Sequence, residues 1–152
     1  MKTKRLGVRK RAAIFGIFFL LLFLPQFNTI RAAEGGTFEI TNLKLCTGVD
    51  ENRKPIQITS KFPAGIQTVY GWFSWKEADP NLKMTARWFY ETENIHILDF
   101  SITLTRRSNE GAVSLQMPGG KNLPDGSYRL DLEVNGKVVK SAAFTVLPAP
   151  SS

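Results

Sequence analysis

The sequence predicts an all-β domain: an antiparallel β-sandwich of seven or eight short strands, preceded by an N-terminal apolar helix. Three observations carry that reading. From residue 37 onward apolar and polar residues alternate, and no stretch repeats at the 3.6-residue period of an amphipathic helix. Turn-forming clusters of Gly, Pro, Asn and Asp interrupt the alternation at regular intervals. The chain of 152 residues is 43% hydrophobic and 22% charged, enough to pack one domain and too short for two. No internal repeat is present, which argues against a propeller or solenoid.

The leader comes first. Lys2, Lys4, Arg5, Arg9, Lys10 and Arg11 precede an uncharged apolar run over 12–24, which Pro25 ends. A basic flank, a short apolar core and a small-residue exit at Ala32-Ala33 describe a secretory signal peptide over 1–33. At 1.5 Å per residue the run spans roughly 20 Å, short of the ~30 Å hydrocarbon core. The alternative is an uncleaved anchor extending through residues 12–30, against which Pro25, Gln26 and Asn28 weigh. Either way the positive flank stays inside, so the domain at 34–146 is expected to be extracytoplasmic, periplasmic or secreted. The formal charge of +7 also belongs to this segment. Residues 1–33 hold seven Lys and Arg and no acid, and the rest holds thirteen of each sign. A neutral domain offers no positive groove, so nucleic acid is not an expected partner. The membrane is touched only through an uncleaved leader.

The strands follow in order. Phe38 and Ile40, then Leu43 and Leu45, mark a first strand with a phase slip near Asn42, the mark of a bulge. Cys46 on this strand reads as a small buried hydrophobe. Leu43-Lys44-Leu45-Cys46 fails as a lipidation site because Leu45 is too large and the apolar run too distant. Residues 47–55 are turn-rich, and Ile56 and Ile58 begin a short strand ending near Phe62. After the turn at 63–65, residues 67–75 form a strand with Val69, Gly71, Phe73 and Trp75 on one face. Thr68, Tyr70, Trp72 and Ser74 take the other. Residues 77–81 break it. In 83–91, Met84, Ala86, Trp88 and Tyr90 face inward, opposite Thr85, Arg87 and Glu91. Residues 94–105 need a bulge at Leu98-Asp99 to turn both Ile95 and Ile97, and then Phe100, Ile102 and Leu104, to the core. Val113, Leu115 and Met117 alternate in the next strand. Tyr128, Leu130, Leu132 and Val134 alternate with Arg129, Asp131 and Glu133. Asn135-Gly136 is a hairpin turn that leads into the last strand, 137–146. A two-residue turn sets Leu132 opposite Val139. Burying Phe144 and Val146 then requires a bulge between Lys140 and Ala143. Residues 147–152 read as a disordered tail.

Leu123-Pro124-Asp125-Gly126-Ser127-Tyr128, an alternating strand, Asn135-Gly136-Lys137 and Phe144-Thr145-Val146 resemble the final hairpin of small secreted bacterial immunoglobulin-like or fibronectin-III-like domains. Trp88-Phe89-Tyr90 is similar to their mid-sandwich Trp strand. The resemblance implies an immunoglobulin-like sandwich in which the Pro-x-Gly-x-Tyr segment enters the penultimate strand. It implies no catalytic residue, and fold alone names no function.

The chemistry is sparse. His96 is the one imidazole, opposite in parity to Ile95 and Ile97 and so expected at the surface. Asp99 falls on the other face unless the bulge intervenes. No Ser stands in a Gly-x-Ser-x-Gly elbow, no second imidazole or thiol supports a metal, and no Gly-rich loop opens a helix for phosphate. No cofactor, metal or catalytic residue is therefore expected, and a small hydrolase is the least favoured reading. The aromatics stand out instead. Tyr70, Trp72, Phe73, Trp75, Trp88, Phe89 and Tyr90 fall close together. Exposed rings can stack on sugars or on a partner's apolar side chains. The expected function is a non-catalytic module that binds or scaffolds a protein or glycan of the cell envelope. Tyr70 with Trp72, or Trp75 with Phe89, are the candidate ligand-binding residues, Trp72 first among them. The structural alternative is that Phe73 and Trp88 are core and loop 47–55 caps the other aromatic pair.

Overall fold

The computed structural model describes residues 36–151. The predicted leader lies outside them. Nine strands form: β1 (Glu39–Val49), β2 (Pro55–Ile58), β3 (Lys61–Phe62), β4 (Thr68–Lys76), β5 (Leu82–Tyr90), β6 (Ile95–Leu104), β7 (Asn109–Gln116), β8 (Gly126–Val134) and β9 (Lys137–Val146). They make two sheets, a four-stranded front sheet of order β2-β1-β4-β7 and a five-stranded back sheet of order β3-β9-β8-β5-β6. The strand expected over 56–62 divides in two. β2 pairs with β1 in the front sheet, and β3 runs parallel to β9 in the back sheet. The chain crosses between sheets at Thr59 and Ser60. The Thr59 N–H donates to Leu45 at 3.0 Å, and the Ser60 carbonyl accepts from Thr145 at 2.9 Å.

The inward parities are those of the alternating sequence. Val69, Phe73 and Trp75 of β4 join Met84, Ala86 and Trp88 of β5 and Tyr128, Leu130 and Leu132 of β8 in one core. Trp88 is fully buried and meets Phe144 edge-on at 6.1 Å, while Phe144 stacks on Tyr128 at 4.8 Å. Gly71 makes room for this centre. A Cβ there would stand 2.3 Å from Leu130 Cδ2, so any side chain would force the buried Leu130 to shift. At the entry to β8 the Tyr128 hydroxyl donates to the Pro124 carbonyl at 2.7 Å, a tyrosine corner that pins the loop to the strand.

Three bulges keep apolar residues in phase. The first lies between Ile40 and Asn42, where the alternation slips. In β6, Trp88 pairs with Leu98 and Phe89 with His96, so Ile97 is the extra residue, just ahead of the expected Leu98-Asp99. In β9, Leu132 pairs with Lys140 and Glu133 with Val138, so the extra residue is Val139. That corrects both the expected bulge position and the Leu132–Val139 pair. The phase change has only to occur between the turn and Phe144. Placed beside the turn, it sets Ala142 opposite Leu130 and Phe144 opposite Tyr128, and Phe144 and Val146 are buried. Asn135 and Gly136 have φ of 52° and 75°, as a type I′ turn requires. Residues 147–151 have no regular structure, though the Leu147 N–H donates to Phe62 at 2.8 Å.

One expectation for the core fails. Ile95 and Phe100 are inward in parity, pairing with Tyr90 and Ala86, yet they are 45% and 46% exposed. β6 is the outer strand of the back sheet; along its inner face Leu104 is buried and Leu98 and Ile102 are half-buried, while Ile95 and Phe100 are exposed.

Candidate functional site

Trp72 lies on the outer face of the front sheet, as its parity predicts, but it is not open to solvent. Its relative exposure is 7%. The loop between β1 and β2 folds over it, and its Nε1–H donates to the Arg53 carbonyl at 2.7 Å. The loop is itself closed by the Lys54 N–H donating to Asp50 Oδ1 at 2.8 Å, and it is tied to β7 by the Lys54–Glu110 ion pair at 2.7 Å. The Lys44 ammonium lies 5.8 Å from the indole centroid. The expectation of an exposed Trp72 is thus corrected: a cap that could have come from loop 47–55 does come from it.

Trp75 is also covered, but from the inside. It packs on Phe73 at 5.8 Å, and its Nε1–H donates to the Arg106 carbonyl at 2.9 Å. Tyr70 is half-buried on the outer front face, across from Cys46. Phe89 is half-buried on the outer back face, with the Arg129 guanidinium 4.5 Å from its centroid and the His96 ring at 5.3 Å. The Trp75–Phe89 pair is therefore divided between the core and the back face. Tyr70 and Trp72 share a face, but the loop covers Trp72.

The outer back face carries a ladder of ion pairs. Arg87 grips Asp99 through Nε at 3.0 Å and Nη2 at 3.3 Å, and reaches Glu133 at 3.3 Å. The bulge at Ile97 puts His96 on the same face as Asp99, and their side chains meet at 2.6 Å. Arg129 pairs with Asp131 and Glu91, and the Ser141 hydroxyl donates to Asp131 at 2.5 Å. The hydrogen bonds from Arg87 hold Asp99 below the usual carboxylate range. Lys76 does the same for Glu39. Both carboxylates are more firmly ionised than usual, which suits ion pairing and is opposite to a general acid's need. Among the described residues, His96 has Asp99 as its hydrogen-bond partner, and no group of three or more His, Cys, Asp or Glu is placed to hold a metal ion. Cys46 is fully buried, and burial pushes its thiol up, away from the reactive thiolate.

The apolar surface lies elsewhere. Ile56 and Ile58 of β2, Val138 and Val139 of β9, and Leu147 are exposed, as are Ile95 and Phe100 along β6, where a shallow groove of about 210 Å³ opens at the start of the strand between Tyr90, Glu93, Ile95, Ile97, Met117, Pro124 and Tyr128. Sequence reading missed the β6 surface because it assigned both halves of β6 to the core. The relevant signal was the composition of the strand: Asp99 is its one acid, and it holds no Lys, Arg or Pro.

No protein-family model and no curated protein sequence matches the chain. Among solved structures, an immunoglobulin-like protein from Pseudomonas aeruginosa superposes with a TM-score of 0.53 at 10% identity, covering 75% of this chain and 99% of that one. The alkylpurine DNA glycosylase AlkC of Pseudomonas fluorescens, bound to DNA containing an abasic site analog, reaches a TM-score of 0.44 at 16% identity. That match covers 72% of this chain and 30% of that one, and it is too weak to bear on DNA. The two packed sheets, antiparallel except for the β3–β9 pair, and the superposition on the first of these show that the described residues form an immunoglobulin-like β-sandwich.

Proposed function

We propose that this protein is a non-catalytic, extracytoplasmic β-sandwich module that binds or scaffolds a protein of the cell envelope, and that it does so through the β6 edge. The observation that carries the proposal is the half-exposed apolar inner stripe of β6, with Ile95 and Phe100 at 45% and 46% exposure on a strand that is paired with β5 on one side and free on the other. A free edge offers backbone N–H and C=O groups to an incoming strand, and an adjacent apolar groove offers sites for its side chains. The glycan reading loses its flat platform to the covering of Trp72 and Trp75.

The experiment is affinity capture from an envelope extract with the tagged protein and its Phe100→Lys variant, with a glycan array run beside it. The proposal expects a protein captured by the wild type and lost with Phe100→Lys while the variant keeps its fold. Equal capture by both, no capture at all, or a positive glycan array alone would overturn it.

A further inference from the structure

We infer that the occupant of the β6 edge is a second copy of this chain, paired antiparallel about a two-fold axis. This rests on the reading of β6 as the contact surface and names its partner.

The free edges differ in how well they are guarded. β2 is four residues long. β9 carries Lys137 and Lys140, is bent by the bulge at Val139, and is capped at its far end by β3. β7 is shorter, at eight residues, and carries Gly111; its acid, Glu110, is paired with Lys54. Short length, lysines, bulges and covering strands are the usual devices that prevent edge pairing. β6 is ten residues long, with its bulge confined to Ile97 near one end. Its acid, Asp99, is already neutralised by Arg87 of its own chain.

The strand is also self-complementary. A two-fold axis perpendicular to the sheet leaves inner residues on the inner face of both copies. Centred on Phe100, it places Phe100 against Phe100 and Leu98 against Ile102 of the second copy, all on the apolar side. On the outer side Asp99 meets Ser101 of the second copy, so no like charges oppose one another. The same operation on β9 would bring the lysines of both copies into one short stretch. The contact is isologous and closes on itself, so the back sheets of two molecules join into one continuous sheet and the exposed edge is removed.

The test is sedimentation velocity over a concentration series. It uses the full-length chain expressed in an exporting bacterial host and purified after processing, as wild type, Phe100→Lys and Phe100→Glu. Far-ultraviolet circular dichroism confirms that each variant is folded. The wild type should shift from monomer to dimer with concentration. Each variant alone should stay monomeric because like charges meet on the two-fold axis. An equimolar mixture of the two variants should recover dimer because Lys then faces Glu. Dimer persisting in Phe100→Lys alone, or a mixture that stays monomeric, would overturn pairing at this register. A wild type that stays monomeric throughout would overturn self-pairing. In that last case the β6 module reading still stands if envelope capture remains sensitive to Phe100→Lys, and falls with it if capture is insensitive.

Discussion

The Trp72 indole N–H and the Arg53 carbonyl meet at 2.7 Å and fasten the β1–β2 loop to the outer face of the front sheet. The bond makes Trp72 a structural residue on a face that would otherwise be wet. Trp72→Phe keeps most of the apolar cover and removes the donor. It should cost about 1 kcal/mol in urea unfolding, the net worth of one hydrogen bond. Amide exchange at residues 50–54 should quicken while that of β4 stays slow. Trp72→Ala removes the cover as well and should cost about 3–5 kcal/mol.

Trp88 is fully buried, and its Nε1–H has no partner among the described residues. The ring is present for volume and for its edge contact with Phe144. Trp88→Ala should therefore cost about 3–5 kcal/mol. Trp88→Phe forfeits no hydrogen bond and should cost less than half as much. Equal losses for the two would mean that the indole N–H has an unseen partner.

Burial pushes the Tyr128 phenol up from its ordinary value of 10.0. The folded state therefore holds its proton at pH values where the unfolded chain releases it. Stability contributed by this group is complete below about pH 10 and declines as pH rises further. Unfolding free energy measured between pH 8 and 11 should fall along the upper part of that range. Tyr128→Phe should flatten the fall, and at neutral pH it should lose about 1 kcal/mol with the Pro124 hydrogen bond.

Expressed in an exporting bacterial host, the protein should be found by intact-mass spectrometry as a chain that begins near Glu34. A chain that retains residues 1–33 would favour the anchored form.

Alternation made the strands and their faces legible. Val69, Phe73 and Trp75 inside, with Trp72 outside, follow from a period of two and are found so. The same rule required a bulge in β6 and another in β9, because Phe100 and Phe144 are otherwise out of phase. It did not locate them, since any slip between the turn and Phe144 restores that phase. Two further features depend on contacts distant in sequence. The loop over Trp72 is set by a backbone carbonyl, which composition does not reveal. The exposure of Phe100 depends on strand order. An inward residue on a central strand and one on an edge strand have the same local pattern, and only the sheet order β8-β5-β6 separates them.

Phe100 is apolar surface that folding does not require. Equilibrium urea unfolding of Phe100→Lys and wild type, both at a dilution where neither associates, measures this directly. A residue 46% exposed on an edge strand should lose about 1 kcal/mol or less. A loss of about 3 kcal/mol or more would make Phe100 a core residue and remove the β6 edge from consideration as a contact surface.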